Sequence, residues 1–589
     1  MAKKLAALVV AAFAAVTLAA APDTSAAPGA TTRVSLPNLV DQSILGLEAV
    51  SYSERPSVNA DGRFVAFDSY APNLVVNDNN GTSDIFVHNR QTGATELVSR
   101  HSDGTQANGF SIDPAISADG RFVAFESDAT NLVPNDTNNL RDVFVRDLTL
   151  NLTTRINVQS AGGQANGGWS GLAAISGDGR FIAFQSSASN LVVGDTNGAL
   201  DIFVHDRQSG LTERESVNNS GSQVSNSSFN PSLNGDGRFV AFQSSASLTD
   251  DDTNGFTDVF LRDRQSGTNE RISVSTAGIQ GNEYSSKPVI SQDARYVAFE
   301  SYASNLVAGD TNNTTDVFVK DRQTEETQRI SVSSSRSEGD ESSSDAAVSS
   351  DGRFVAFRSY ASNLVPGDTN VCSYGHQQNC HDVFLHDKSS GITVRVNLDN
   401  AGNQVSDGSL GFLPPAISSD GRFVAFDSQA STLVEGDTNN QSDVFVRDIG
   451  DSDNDGAWDP FDTCPTNADC DGDSAPDGVD NCPNWPNPTQ TLPPWLIPAG
   501  DPDCDGFGSN TENAVGTAPL AHCGGNAWPA DVNNDGYSDI SDVIPLVNHF
   551  GQAVSPALVR YNIAPDPPDG FVDITDIVRM LNYFGKGCA

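Results

Sequence analysis

The chain has 589 residues, too many for a single hydrophobic core, so several modules are expected. It carries 33 Lys and Arg against 76 Asp and Glu, a net charge of −43. That balance disfavours binding to nucleic acid or to an anionic membrane surface.

The chain opens with MAKK followed by LAALVVAAFAAVTLAAA. A basic start, an apolar run and small residues near Ala26 read as a secretory signal peptide over residues 1–26. The run is short and Ala-rich for a membrane anchor, and no other stretch is apolar enough to span a bilayer. The expected location is therefore extracellular, secreted or surface-associated, with no membrane insertion after cleavage. The eight Cys then default to disulfides.

One unit recurs through the next four hundred residues. The segment DGRF-[VI]-AF has its Asp at 61, 119, 178, 236, 351 and 420, with DARYVAF at 293. A second marker, D-[IV]-F-[VL], starts at Asp84, Asp142, Asp201, Asp258, Asp316, Asp382 and Asp443. Seven copies of one unit follow. Each holds four strand-like runs, which in the second copy are PAIS (114–117), RFVAFES (121–127), DVFVRD (142–147) and TTRINV (153–158). Four short strands repeated seven times predict a mainly β fold, a seven-bladed β-propeller, over a β-solenoid. The fourth strand is absent after the last DVFVRDIG, and the matching TTRVSL stands at Thr31–Leu36. The N-terminal strand is expected to complete the last blade and close the ring. These repeats, over residues 31–448, resemble the TolB-type, WD-like propeller family, which implies a binding platform more often than catalysis.

Strand alternation puts the tight D-G turns, such as Asp119–Gly120, on one face of the ring. The long second and fourth connections gather on the other, the expected ligand face. Every second connection there carries D-x-N with a later Asp, from Asp78/Asn80/Asp84 to Asp437/Asn439/Asp443. Such residues cap their own loops, and three oxygens fall short of the ~6–8 of a calcium shell, so turn chemistry is preferred to a calcium site in each blade. His88, His205 and His386 share a slot with Arg and Lys of other blades and read as solvated positions. The residue after FVAF varies (Asp68, Glu126, Gln185, Gln243, Glu300, Arg358, Asp427) and reads as surface-facing. Cys372, His376, Cys380 and His381 have zinc-like spacing, but in an exported chain a Cys372–Cys380 disulfide is preferred. Neither a G-x-S-x-G elbow nor H-E-x-x-H occurs. A carboxylate pair of glycosidase type stays open among so many acids.

From Ile449 onward 22 acids face three basic residues, and the acids follow a 12-residue grid with positions 1, 3, 5, 9 and 12. The first grid is Asp451, Asp453, Asp455, Asp459 and Asp462, and the second is Asp469, Asp471, Asp473, Asp477 and Asp480. The third is Asp501, Asp503, Asp505 and Glu512, and the fourth Asp531, Asn533, Asp535, Asp539 and Asp542. The fifth keeps Asp569, Asp573 and Asp576, with Pro565 and Pro567 where the first two ligands belong. Alternate oxygens in a tight loop converge on one hard cation, so Ca2+ is the expected ion.

The stretches DSDNDGAWDPFDTCP, DCDGDSAPDGVDNCP and DPDCDGFGSNTE resemble thrombospondin type 3 repeats over residues 451–523. The resemblance implies a calcium-packed rod with Cys464–Cys470 and Cys482–Cys504 disulfides. After the fourth and fifth grids, Val543, Leu546, Val547, Phe550 and then Ile577, Met580, Leu581, Phe584 stand at helical spacing, each set followed by Gly. DVNNDGYSDISDV and DGFVDITDI resemble a dockerin over residues 529–588, which implies docking to a cohesin-like scaffold or surface protein. Cys523 and Cys588 bracket that module and can join its ends. The expected protein is a secreted, calcium-binding adhesion or binding protein whose propeller takes a protein or glycan ligand. The rival is an extracellular carbohydrate-active enzyme, a hydrolase or lyase, carried by its dockerin. A third class is a purely structural surface protein.

Overall fold

The computed structural model describes residues 29–38, 48–369, 380–405, 413–455, 457–462 and 465–466, and the backbone of four two-residue strands farther on. The expected signal-peptide segment, most of the Cys insertion and the side chains of the second to fifth grids lie outside the described residues.

Strand β1 (Thr31–Arg33) precedes a first blade made of β2 (Ser53–Val58), β3 (Phe64–Ser69), β4 (Asp84–Asn89) and β5 (Ala94–Leu97), paired antiparallel in that order. Five more four-stranded sheets repeat this order, and the seventh is closed by β1, which pairs with Asp443–Asp448 in the register Thr31↔Arg447 to Arg33↔Phe445. The fold is a mainly β, seven-bladed propeller with its N-terminal strand in the last blade. The inner strands surround an axial channel, where a cavity of about 330 Å³ is lined by residues of all seven, from Ser57 to Ile417.

The core lies between blades. Ala66, Ile85 and Val98 of blade 1 pack against Val123, Phe125 and Phe144 of blade 2, and the same arrangement recurs around the ring. Within a blade the Phe residues of the second and third strands stack, as Phe125 on Phe144 at 5.9 Å. Both faces of a middle strand are therefore buried, which is why FVAF and DVFV read as near-continuous apolar runs.

The inner strands depart from the expected PAIS. In the second blade the strand begins at Ser111, not at Pro114, and its register slips between Ile112 and Ala115. The same bulge occurs in blades 1 to 6, and its leading residue has positive φ each time: Arg55, Asp113, Leu172, Asn230, Lys287 and Asp345. Pro follows four of these six, at Pro56, Pro114, Pro231 and Pro288, and Pro has no N–H for the ladder. The outer strand is shorter than expected, ending at Arg155 rather than Val158, which keeps only an isolated bridge to Gln164.

At the tight-turn end, backbone hydrogen bonds pass from blade to blade. Ser350 N donates to Ser419 O, Ser419 N to Ala60 O, Ala60 N to Ala118 O, Ala118 N to Gly177 O, Gly177 N to Gly235 O and Gly235 N to Gln292 O, at 2.9–3.1 Å.

Near the C-terminus, Tyr537–Ser538 pairs with Lys586–Gly587, and Gln552–Ala553 pairs with Phe571–Val572. Tyr537 and Phe571 follow the position-6 glycines of the fourth and fifth grids, so each loop pairs with the segment beyond the other unit's expected helix. Those helices lie outside the described residues.

Candidate functional site

Two regions concentrate chemistry. The first is the channel and its mouth on the long-loop face. The residue after FVAF is not on the surface: Asp68, Glu126, Gln185, Arg358 and Asp427 are all buried. The neighbouring blade covers the face that would meet solvent in an isolated sheet, and these side chains turn toward the bulges of the inner strands. Gln185 Oε1 accepts from Asn230 N at 3.0 Å, Gln243 Oε1 from Lys287 N at 2.8 Å and Glu300 Oε2 from Asp345 N at 3.3 Å. The long polar side chain of one blade thus satisfies the amide that the bulge frees in the next.

The belt built this way differs from blade to blade. Arg55 bridges Asp68 at 3.1 Å and Asp113 at 2.8 Å, while Lys287 bridges Asp345 at 2.7 Å and Glu300 at 3.6 Å. Asp113, Lys287 and Asp345 line a second cavity of about 270 Å³ with Pro114, Pro231 and Pro288. Glu126 is the outlier. Its Oε2 fills the space a side chain at Gly171 would need, 1.9 Å from an added Cβ, and accepts no hydrogen bond. Burial first, and then the neighbouring Asp113 carboxyl, hold Glu126 well above the usual carboxylate range. Burial and the nearby Glu54 push Asp427 up to about 7.

Two residues beyond the belt, the mouth carries a rim of aromatics that sequence reasoning missed. Tyr52, Phe110, Trp169 and Tyr284 immediately precede inner strands, and Tyr70, Tyr302 and Tyr360 follow second strands. The two sets are neighbours, since Tyr70 N donates to Tyr52 O and Tyr302 N to Tyr284 O. Tyr52, Tyr70, Trp169, Tyr284 and Tyr302 are 40–54% exposed. The signal available was an aromatic immediately outside seven of these strand ends, on the side away from the D-G turn.

The D-x-N loops stand behind this rim. Asn80 Oδ1 accepts from Thr82 N, and Asn138 Oδ1 from Leu140 N, which is the turn chemistry expected of them. The Asp pairs take their counter-charge from an Arg of the outer strand. Arg155 reaches Asp136 and Asp142 at 3.1 and 3.2 Å, Arg395 reaches Asp368 and Asp382, and Arg33 of β1 reaches Asp437 and Asp443. Asp310, Asp316 and Glu338 lie close enough together to hold an ion, but Arg329 Nη1 is already 3.5, 3.2 and 2.8 Å from them. Blade 1 has Leu97 in place of Arg, and there Gln106 Nε2 donates to Asp78 and Asp84 at 2.7 and 2.8 Å. Burial pushes Asp84 up to about 7.

The histidine slot is corrected too. His88, His205 and His386 are buried, and each Nδ1 meets a Thr hydroxyl, as His88 with Thr95 at 2.9 Å. Burial pushes His88 and His386 down to about 4, so they are neutral packing residues. Arg146 and Lys320, in the same slot, are 1% exposed. Cys380 is buried and disulfide-bonded, which leaves no thiolate for zinc; its expected partner Cys372 lies outside the described residues.

The second region is the first acidic grid. Asp451, Asp453 and Asp455 bring carboxylate oxygens within 4.8 Å of one another. Both carboxylate oxygens of Asp453 are buried and accept no hydrogen bond. Three hard oxygen donors with such a carboxylate among them fit a calcium ion. Asp459, of the same grid, accepts from Ser452 N at 2.7 Å and Ser452 Oγ at 2.9 Å. The residues of the other four grids lie outside the described side chains.

No helix among the described residues is long and apolar enough to cross a membrane. A family profile for the thrombospondin type 3 repeat matches residues 467–490, which implies calcium binding there. None of the curated proteins matches the chain. Among solved structures, the chain is similar to oligogalacturonate lyase from Vibrio parahaemolyticus at 13% identity and TM-score 0.44, over 72% of this chain and 94% of that one. It is similar to TolB from Acinetobacter baumannii at 14% identity and TM-score 0.32, over 60% and 66%. It is also similar to the β-propeller domain of the Trilobed protease from Pyrococcus furiosus at 12% identity and TM-score 0.39, over 68% and 95%. None of the three brings an activity to this chain.

Proposed function

We propose that this is a secreted, calcium-binding protein whose propeller binds a neutral polysaccharide across the aromatic rim, and whose tail is a calcium-loaded stalk ending in a module that docks to a scaffold or surface protein. The observation that carries the reading is the rim. Exposed aromatic rings present flat apolar faces with polar edges, and they surround a channel mouth lined by carboxylates, amides and the cationic side chains of Arg55, Lys287 and Arg358, a composition suited to pyranose rings with their hydroxyls. A net charge of −43 argues against a polyanionic glycan. The paired strands near the C-terminus support a compact two-loop module there.

A second reading is favoured by one observation. The belt is specific to each blade, and Glu126 beside Asp113 is a buried acid that keeps its proton at neutral pH, as a general acid of a glycoside hydrolase must. One experiment addresses both. The full chain is titrated with a panel of neutral polysaccharides in calcium, scored for binding and for cleavage. Binding that falls about tenfold or more in Trp169→Ala and Tyr284→Ala supports the platform. Cleavage that is lost in Glu126→Gln supports the enzyme. Binding indifferent to both rim substitutions overturns the rim as the site.

A further inference from the structure

The first acidic grid does not begin a free stalk. Only Ile449 and Gly450 separate the last propeller strand from Asp451, and the loop folds back onto the ring. Trp458 Nε1 donates to Asp420 O in the tight turn of blade 7 at 3.1 Å. Phe461 is 6% exposed and lies on Phe354 of blade 6, ring centroids 5.4 Å apart. Asp459 N donates to Gly450 O at 3.1 Å, and Gly450 abuts Gly29 just ahead of β1.

The other joints show what Phe461 adds. At five of them the residue after the third strand is a cation over the first aromatic of the preceding blade's second strand, as Arg207 over Phe122 at 4.3 Å, Arg322 over Phe239 at 4.8 Å and Lys388 over Tyr296 at 3.6 Å. At the joint of blades 6 and 7 that residue is Ile449, and Phe461 from the acidic loop joins it in the cluster that buries Phe354. The same place is the seam of the ring, where Asp448 N donates to Ala30 O at 3.0 Å beside a β1 of three residues.

We propose that a calcium ion held by Asp451, Asp453 and Asp455 is a clasp on the propeller ring. The proposal rests on the calcium reading of this grid. With the ion in place, the three carboxylates are drawn together, the loop keeps its turn, and Trp458 and Phe461 stay seated on blades 7 and 6. Without it, three negative charges within 4.8 Å repel, the loop opens, and the seat at the seam is lost. Ring opening at the seam then requires prior release of the ion. Its frequency falls by the ratio of free calcium to the dissociation constant, about 100-fold when calcium is a hundred times that constant.

The test is amide hydrogen exchange on the full chain, with calcium and with chelator, read in peptides covering 31–36 and 443–449 and, as internal reference, in blade 3. Calorimetric titration counts the ions. The clasp predicts that calcium slows exchange at the seam by about 100-fold and leaves blade 3 unchanged. Asp453→Ala should bind one ion fewer and lose the calcium effect at the seam. Phe461→Ala should bind the full number of ions and lose the same effect. Seam exchange that ignores calcium, while Asp453→Ala still costs one ion, overturns the clasp and leaves the calcium site standing. An unchanged ion count in Asp453→Ala overturns both.

Discussion

A β carbon on Gly120 would stand 2.5 Å from Cδ2 of Phe64 in the preceding blade, and Gly120 has φ +72°. The D-G turn therefore needs Gly twice over, for the left-handed backbone and for the neighbour's ring. Blade 5 breaks the rule with Ala294 at φ +63°, buried at 1%. Ala294→Gly is expected to stabilise the protein by about 1 kcal/mol, and Gly120→Ala to destabilise it by about 2 kcal/mol or more. Denaturant unfolding of the two variants checks both signs.

Arg329 supplies the counter-charge for Asp310, Asp316 and Glu338. Asp316 is fully buried, so Arg329→Met leaves uncompensated charge inside blade 5. The expected cost is about 3–5 kcal/mol. Removing metal from the wild-type protein should leave this blade unaffected, because its cation is a side chain. Thermal unfolding with and without chelator separates the two effects.

The buried acids set the pH dependence of the propeller. Asp84 and Asp427 have folded-state values of about 7, raised from 3.8, so folding takes up protons between these limits. The stability they contribute is fully present below pH ~4 and is lost as pH rises through 7, at about 1.4 kcal/mol per pH unit for each group. Glu126 extends the loss to more alkaline pH. Asp206 and Asp263 act in the opposite sense: hydrogen bonds from Arg180 and Arg238 hold them well below their usual range, and their contribution disappears as pH falls below 4. Stability should therefore peak near pH 4 and fall steeply toward pH 7, with Glu126 carrying the fall to more alkaline pH and a shallower fall in Glu126→Gln. A denaturation series across pH measures the slope, and a stability that rises from pH 5 to 9 contradicts the assignment.

Deleting residues 31–36 removes β1, the Ser35 Oγ bond to Asp443 at 2.6 Å and the Arg33 pairs with Asp437 and Asp443. Asp443 is completely buried and would lose its cation and a hydroxyl donor together. The truncated protein should lose at least about 3 kcal/mol and expose the last blade's edge to self-association. Light scattering and melting temperature of the truncation provide the check.

The period of the repeats made the blades, their number and the closing strand legible, because a missing strand at one end matched an orphan strand at the other. The side chains at 68, 126 and 427 were misread for a physical reason. In a propeller both faces of a middle strand are covered, so alternation no longer separates inside from outside, and a polar residue there marks an internal partner. His88 was misread for the same reason. The bulges at Arg55 and Asp113 were hidden because a register slip has no period. The seat of Phe461 had a signal that went unused, two large aromatics inside a run of carboxylates, Trp458 and Phe461, where a solvated loop has no need of them.

Thr32 Oγ1 reaches Val446 O across 414 positions of sequence. The first strand to be synthesised is thus among the last to be placed, since its partner exists only when nearly the whole ring has been made. Contacts this distant in sequence form slowly, and a chain that waits for them carries one unpaired edge throughout the wait. The polar TTRVS, with a charge at Arg33, is a segment that tolerates waiting in water. Blades 1 to 6 can assemble in the order in which they are made, but the circle itself cannot be completed until synthesis has passed residue 448.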